Sequence, residues 1–140
     1  MTIKLALAVN HSKDFEKQHF GEAEQFLIYE WNDSQLVFQQ AIANPFANLS
    51  HHQHSPAKAD HIRAFLKEHD VNVLVARQFG HNIKRVNAHF IPVQISVSTR
   101  EELFPILQKQ MKWIEEEWKH NAGNYKLFNL QKGTIKSAIK

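Results

Sequence analysis

A chain of 140 residues with 43% hydrophobic and 22% charged side chains suits one folded domain that buries its core without cross-links. The absence of cysteine excludes a disulfide framework, a thiol nucleophile and any thiolate-held zinc or iron–sulfur site, so a metal or cluster would rely on histidine, carboxylate or backbone ligands. A formal charge of +3 is too small to argue for a nucleic-acid partner, whereas ten histidines supply many groups that bind metals and titrate near neutrality.

The amino-terminal stretch Met1 to Asn10 is too short, and turns polar too soon, for a secretory signal. No apolar run approaches the roughly 18 residues of a membrane span, and the expectation is a cytoplasmic protein without a membrane partner. Ile3 to Val9 alternates large apolar residues with small or polar ones and reads as a first strand ending at Asn10. A polar loop, His11 to His19, leads to a second strand, Gln25 to Trp31. Leu36 to Ala43 is the third, and Asn32-Asp33-Ser34 between them has the composition of a tight hairpin turn.

Asn44 to Ser55 carries Pro45 and the run His51-His52-Gln53-His54, lacks periodicity and reads as a loop. Ser55 then offers an N-cap and Pro56 suits the first helical position, with Ala59, Ile62, Phe65 and Leu66 marking the apolar side of a helix ending near His69-Asp70. Val71 to Ala76 is nearly continuous in β-formers, as a strand covered on both faces requires. A short helix is expected over about 82–88 and a fifth strand over 90–96, which makes a parallel pair with a right-handed crossover. Ser98 with Glu101, or Thr99 with Glu102, offers a capping box for a last helix with Leu103, Leu107, Met111, Ile114 and Trp118 on one stripe; Pro105 predicts a kink or a displaced start. Asn121-Ala122-Gly123 is a helix stop. Beyond it the lysines 126, 132, 136 and 140 mark a basic tail, in which Leu127, Phe128 and Leu130 either pack or stay free.

This order of elements resembles the ribonuclease H-like fold. More specifically, the strand Lys4 to Val9, the segment His19-Phe20-Gly21 before Phe26-Leu27-Ile28-Tyr29, the helix Ala57 to Glu68, the run Val71 to Gly80 with its Gln78-Phe79-Gly80 ending, and Ile91-Pro92-Val93 resemble the dinitrogenase iron-molybdenum cofactor biosynthesis family. The likeness is to its small accessory domains of the NifX and NifB carboxy-terminal type, and it covers about residues 1–110. Taken with the elements read above, it gives the expectation of a five-stranded mixed α/β sheet of order 3-2-1-4-5 with three helices in a single domain over 1–120, while the lysines beyond Gly123 mark the basic tail over 121–140. It also implies a non-catalytic carrier of an iron–sulfur or iron–molybdenum cofactor precursor, which exchanges it with a donor or acceptor protein. Members often have a Gly-rich segment, sometimes with cysteine, where this chain has His51-His52-Gln53-His54-Ser55-Pro56.

With the first and fourth strands adjacent and parallel, the chain direction reverses between them, and open α/β sheets bind ligands outside the carboxyl ends of strands at such a point. Those ends carry Asn10, His11, Gln78, Phe79, Gly80 and His81; the loop that begins at Asn10 closes with His19-Phe20-Gly21, and the His51–His54 loop leaves the same edge. His19 reads either as an imidazole ligand or as a loop histidine that holds the turn. His81 stands where a helix start favours an anion, and His52 and His54 would project the same way from an extended loop. The candidate cofactor contacts are thus His19, His81, His51, His52, His54, Asn10, Gln78 and Gly80, with His19, His81, His52 and His54 as the metal ligands among them. Nuclease chemistry with two metals needs clustered carboxylates, one of them commonly on the first strand, and Ile3 to Val9 has none. The alternative to a carrier is an interaction module that keeps the fold and engages a partner protein or nucleic acid through the basic extension.

Overall fold

In the computed structural model, which describes residues 2–46, 56–80 and 86–130 (56–59 by backbone alone), β1 (Ile3–Val9) runs through the middle of the sheet. Its alternation sends Ile3, Leu5, Leu7 and Val9 to one face and Ala6 and Ala8 to the other. β2 (Gln25–Trp31) and β3 (Leu36–Ala43) follow as an antiparallel meander, and β4 (Val73–Ala76) and β5 (Ile91–Ile95) add on the other side of β1 in parallel. The turn between β2 and β3 is fixed by the Asn32 side-chain oxygen, which accepts from the backbone N–H groups of Ser34 and Gln35, and Asp33 adopts φ +79°.

The expected 3-2-1-4-5 order is the observed one, extended by a sixth strand, β6 (Phe128–Leu130), parallel to β5. Residues up to 130 of the expected tail are therefore part of the fold. Glu117 holds them: this buried carboxylate accepts from the Asn121 side-chain amide at 2.9 Å and from the Lys126 backbone N–H at 2.8 Å. Trp118 stacks on Tyr125 with ring centroids 5.0 Å apart, and Phe128 and Leu130 are buried while Leu127 stays exposed. The lysines 132, 136 and 140 lie outside the described residues.

Two α-helices are described, α1 (Pro56–Glu68) and α2 (Arg100–His120). Residues 82–85 of the short helix expected over 82–88 lie outside the described ones; Val86, within that range, packs partly against the α1-side core as expected. Helix α2 starts where the Thr99–Glu102 capping box places it, with Thr99 Oγ1 accepting from the Glu102 N–H, so its start is not displaced. Pro105 sits inside it. The missing N–H deprives only the Glu101 carbonyl of its helical partner, at a residue that is exposed.

The core has two halves. On the α2 side Leu103, Leu107, Met111 and Ile114 cover the large aliphatics of β1, β4 and β5 together with Tyr29 and Trp31. On the α1 side Ile62 and Leu66 cover Ala6, Ala8, Leu74 and Ala76, and the space the alanines leave is shared by Phe20, Phe26, Phe79 and Phe90. Two of these phenylalanines belong to loops at the carboxyl ends of the strands, so packing on this face sets the position of those loops.

Candidate functional site

Beyond Val9 the chain turns on Asn10. Its side-chain oxygen accepts from the N–H groups of Ser12 (2.9 Å) and Asp14 (3.2 Å), and its carbonyl accepts from Lys13 N–H (2.9 Å) and the Gln25 side chain (3.1 Å). Asn10 therefore shapes the loop and ties it to the start of β2. Lys13 takes φ +67° at its tip, and Phe15 returns to the core as the Glu16 N–H bonds the Ala8 carbonyl.

The loop then reaches the end of β4. The Phe20 N–H donates to the Gln78 carbonyl at 2.8 Å, the Gln78 side-chain amide donates to the Lys17 carbonyl at 2.8 Å, and His19 and Gln78 form a parallel bridge. Phe20 stacks on Phe79 (centroids 5.8 Å) and on Phe26 (4.9 Å), which joins the two Phe-Gly loops through their rings. The two segments, about sixty residues apart in sequence, meet beside the carboxyl ends of β1 and β4.

His19 opens the single 3-10 turn Phe20–Glu22 with extended backbone, and Glu22 closes it: the His19 N–H donates to Glu22 Oε1 at 3.3 Å and the Glu22 N–H to the His19 carbonyl at 2.9 Å. The imidazole keeps 30% of its surface exposed, with Nδ1 3.9 Å from the Glu22 carboxylate. Its other neighbour is Gly80. A Cβ built on Gly80 would lie 2.7 Å from His19 Nδ1 and 2.9 Å from Cε1, and Gly80 has φ +72°, so both space and backbone require glycine there. The ring is thus seated on the bare backbone of the opposite loop. The start of the following loop is fixed to the same turn, because the buried Asn44 side-chain amide donates to the carbonyls of Gly21 (3.0 Å) and Ala23 (2.9 Å).

Of the candidate residues, the structure brings His19, Gln78 and Gly80 into contact and sets Asn10 beneath the same edge as a loop-shaping residue. His51, His52, His54 and His81 lie outside the described residues. Two carboxylates at this edge were not singled out from the sequence. Glu22 braces His19, a link whose only trace in the chain is the three-residue spacing; Glu24 pairs with His11 (3.0 Å to Nε2) and accepts from the His11 backbone N–H at 2.7 Å. His69 and His89 stand away from this edge. The first contacts the Phe65 carbonyl at 2.9 Å, and the second lies 3.2 Å from an Arg63 nitrogen.

Among the described residues, no three His, Asp or Glu side chains group closely enough to enclose a metal ion, and the chain has no cysteine. Among the described residues, no helix is long and apolar enough to cross a membrane.

No curated protein matches the chain. The family model described as dinitrogenase iron-molybdenum cofactor matches residues 1–103, a span from β1 to the first turn of α2 that includes both converging loops. This chain belongs to the dinitrogenase iron-molybdenum cofactor family.

Proposed function

We propose that this protein is a non-catalytic carrier that holds an iron–sulfur or iron–molybdenum precursor as cargo at the carboxyl edge of β1 and β4 and passes it between a donor and an acceptor protein, in the cytoplasm. The observation that carries this reading is the seating of the His19 ring on Gly80, which holds an imidazole at the switch point of a sheet whose family is tied to the iron-molybdenum cofactor. In this reading His19 is the anchoring ligand and Gln78 and Gly80 present backbone and amide groups beside it. His81 and the His51, His52 and His54 loop supply further imidazoles, and Asn10 holds the floor of the site.

A carrier needs reversible attachment more than a closed shell. Cargo held by few protein ligands can leave by exchange with an acceptor, and the absence of thiolates removes the ligands that bind iron most tenaciously.

The test is anaerobic reconstitution with iron and sulfide, and separately with an iron–molybdenum cofactor preparation, followed by visible absorption and metal analysis of the desalted protein. The wild type is expected to retain chromophore and metal, and His19→Ala to lose most of both while keeping its circular dichroism. Retention of neither iron nor molybdenum by the wild type would sink the carrier reading.

A further inference from the structure

The two edges of the sheet differ in how they are protected. β6 is three residues long and flanked in sequence by Lys126 and Lys132, the short, charged form that edge strands commonly take to avoid further pairing. β3 is the opposite. It has eight residues, every side chain from Val37 to Ala41 is exposed, and no Lys, Arg, Asp or Glu occurs anywhere from Ser34 to Ala57. Val37 is 36% and Phe38 49% exposed on this strand. Phe38 is the outer end of an aromatic row, edge-on to Tyr29 at 5.5 Å, which in turn meets Phe104 of α2 at 5.1 Å.

We propose that β3 is the seam of a homodimer, pairing antiparallel with β3 of a second copy across a two-fold axis. The charge pattern selects this occupant. A two-fold seam sets a strand against itself, so a charged residue near the axis would meet its like, and β3 carries none. The side chains present, Val, Phe, Gln, Ala and Ile, pair with copies of themselves without electrostatic penalty, and the second copy covers the exposed end of the Phe104–Tyr29–Phe38 row. One irregularity sits on the strand. Tyr29 pairs with Phe38 and Ile28 with Gln40, which leaves Gln39 as a bulge that divides β3 into two pairing stretches.

Antiparallel pairing of β3 points the carboxyl edges of the two sheets in opposite directions. Each copy keeps its own His19–Gly80 edge complete, so dimerisation and cargo binding are separate properties that fail separately.

Sedimentation velocity of the wild type from low to high micromolar concentration is expected to show a species of twice the chain mass, and Phe38→Lys/Gln40→Lys a species of single mass with unchanged circular dichroism. Because the chain has no cysteine, Gln40→Cys gives a single thiol at the seam; mild oxidation is expected to yield a covalent dimer from it and none from Lys109→Cys on the exposed side of α2. If the lysine variant fails to fold, the cysteine pair decides alone. A wild type that stays monomeric throughout overturns the proposal, as does a dimer that cross-links equally well through Lys109→Cys.

Discussion

The two faces of the sheet fill similar space with different side chains. Beneath α2, the face of β1 built from Ile3, Leu5, Leu7 and Val9 meets Leu103, Leu107, Met111 and Ile114 in an aliphatic layer. Beneath α1, β1 offers only Ala6 and Ala8, and phenylalanines from two loops lie over them. The aliphatic layer is made by regular elements and fixes the fold; the aromatic layer is made largely by the ends of loops and fixes the candidate site. Changes on the first face should therefore act on stability and reach the site only through unfolding, and changes on the second should disturb the site at a smaller cost in stability.

The largest effect is expected at the centre of the α2 layer. Leu107 is fully buried, and Leu107→Ala removes its packing and leaves a cavity, a loss of about 2–5 kcal/mol that a denaturant titration reads as a lower midpoint. Metal retention by the fraction that remains folded should be unchanged. Next comes Ala8→Leu on the α1 face. Ala8 has no exposed surface and adjoins the layer containing Phe20, Phe26 and Phe79, so the larger side chain has no space without moving a ring, a cost of about 1–3 kcal/mol. Here retention of reconstituted metal should fall in protein that still folds. Equal loss of stability and retention from both substitutions would erase the distinction between the faces.

Gly80→Ala probes the contact between the loops more directly. An alanine there must accept φ +72°, a strain of about 1–2 kcal/mol, and its Cβ must push the His19 ring aside. The expected result is a modest fall in denaturation midpoint together with a loss of metal retention approaching that of His19→Ala. Stability that falls without any change in retention would detach Gly80 from the site.

Much of this architecture is legible in local pattern. The alternation of β1 and the Asn32-Asp33-Ser34 turn fix β2 and β3 to their observed ends, because side-chain period and turn chemistry are short-range properties. The meeting of the His19 and Gln78 loops follows from topology, since two parallel neighbouring strands must bring the loops at their carboxyl ends together. What the pattern conceals depends on distant partners. β6 is three residues long and forms against β5, and its anchor Glu117 belongs to a run of three glutamates that reads as solvated surface. Asn10 looks like a polar group offered to a ligand, but its oxygen serves Ser12 and Asp14, a role set by the backbone of a turn with no periodic signature.

The smallest effects are in pH dependence, and they lie away from the candidate edge. At the β2–β3 end, burial and the neighbouring Asp33 carboxyl raise Glu115 above its ordinary value of 4.5. The folded state then holds this proton more tightly than the unfolded chain, so its contribution to stability is present at low pH and is lost as pH rises from about 4.5 through the raised value. On the α1 face at the same end of the sheet, burial and the Arg63 and Lys67 cations lower His89 below 6.5, and neutral His89 Nε2 accepts from the Arg63 guanidinium at 3.2 Å. As pH falls below 6.5 the unfolded chain takes up a proton that the folded state resists, so stability drops until the folded His89 is itself protonated. Glu115→Gln should therefore raise the denaturation midpoint at pH 7.5 relative to wild type and lose that advantage near pH 4. His89→Gln should flatten the wild-type decline between neutral and mildly acidic pH. Neither substitution should alter metal retention at neutral pH, because both side chains face the helix layers and not the loops that meet at His19; a change in retention from either would mean that the two ends of the sheet are coupled through the core.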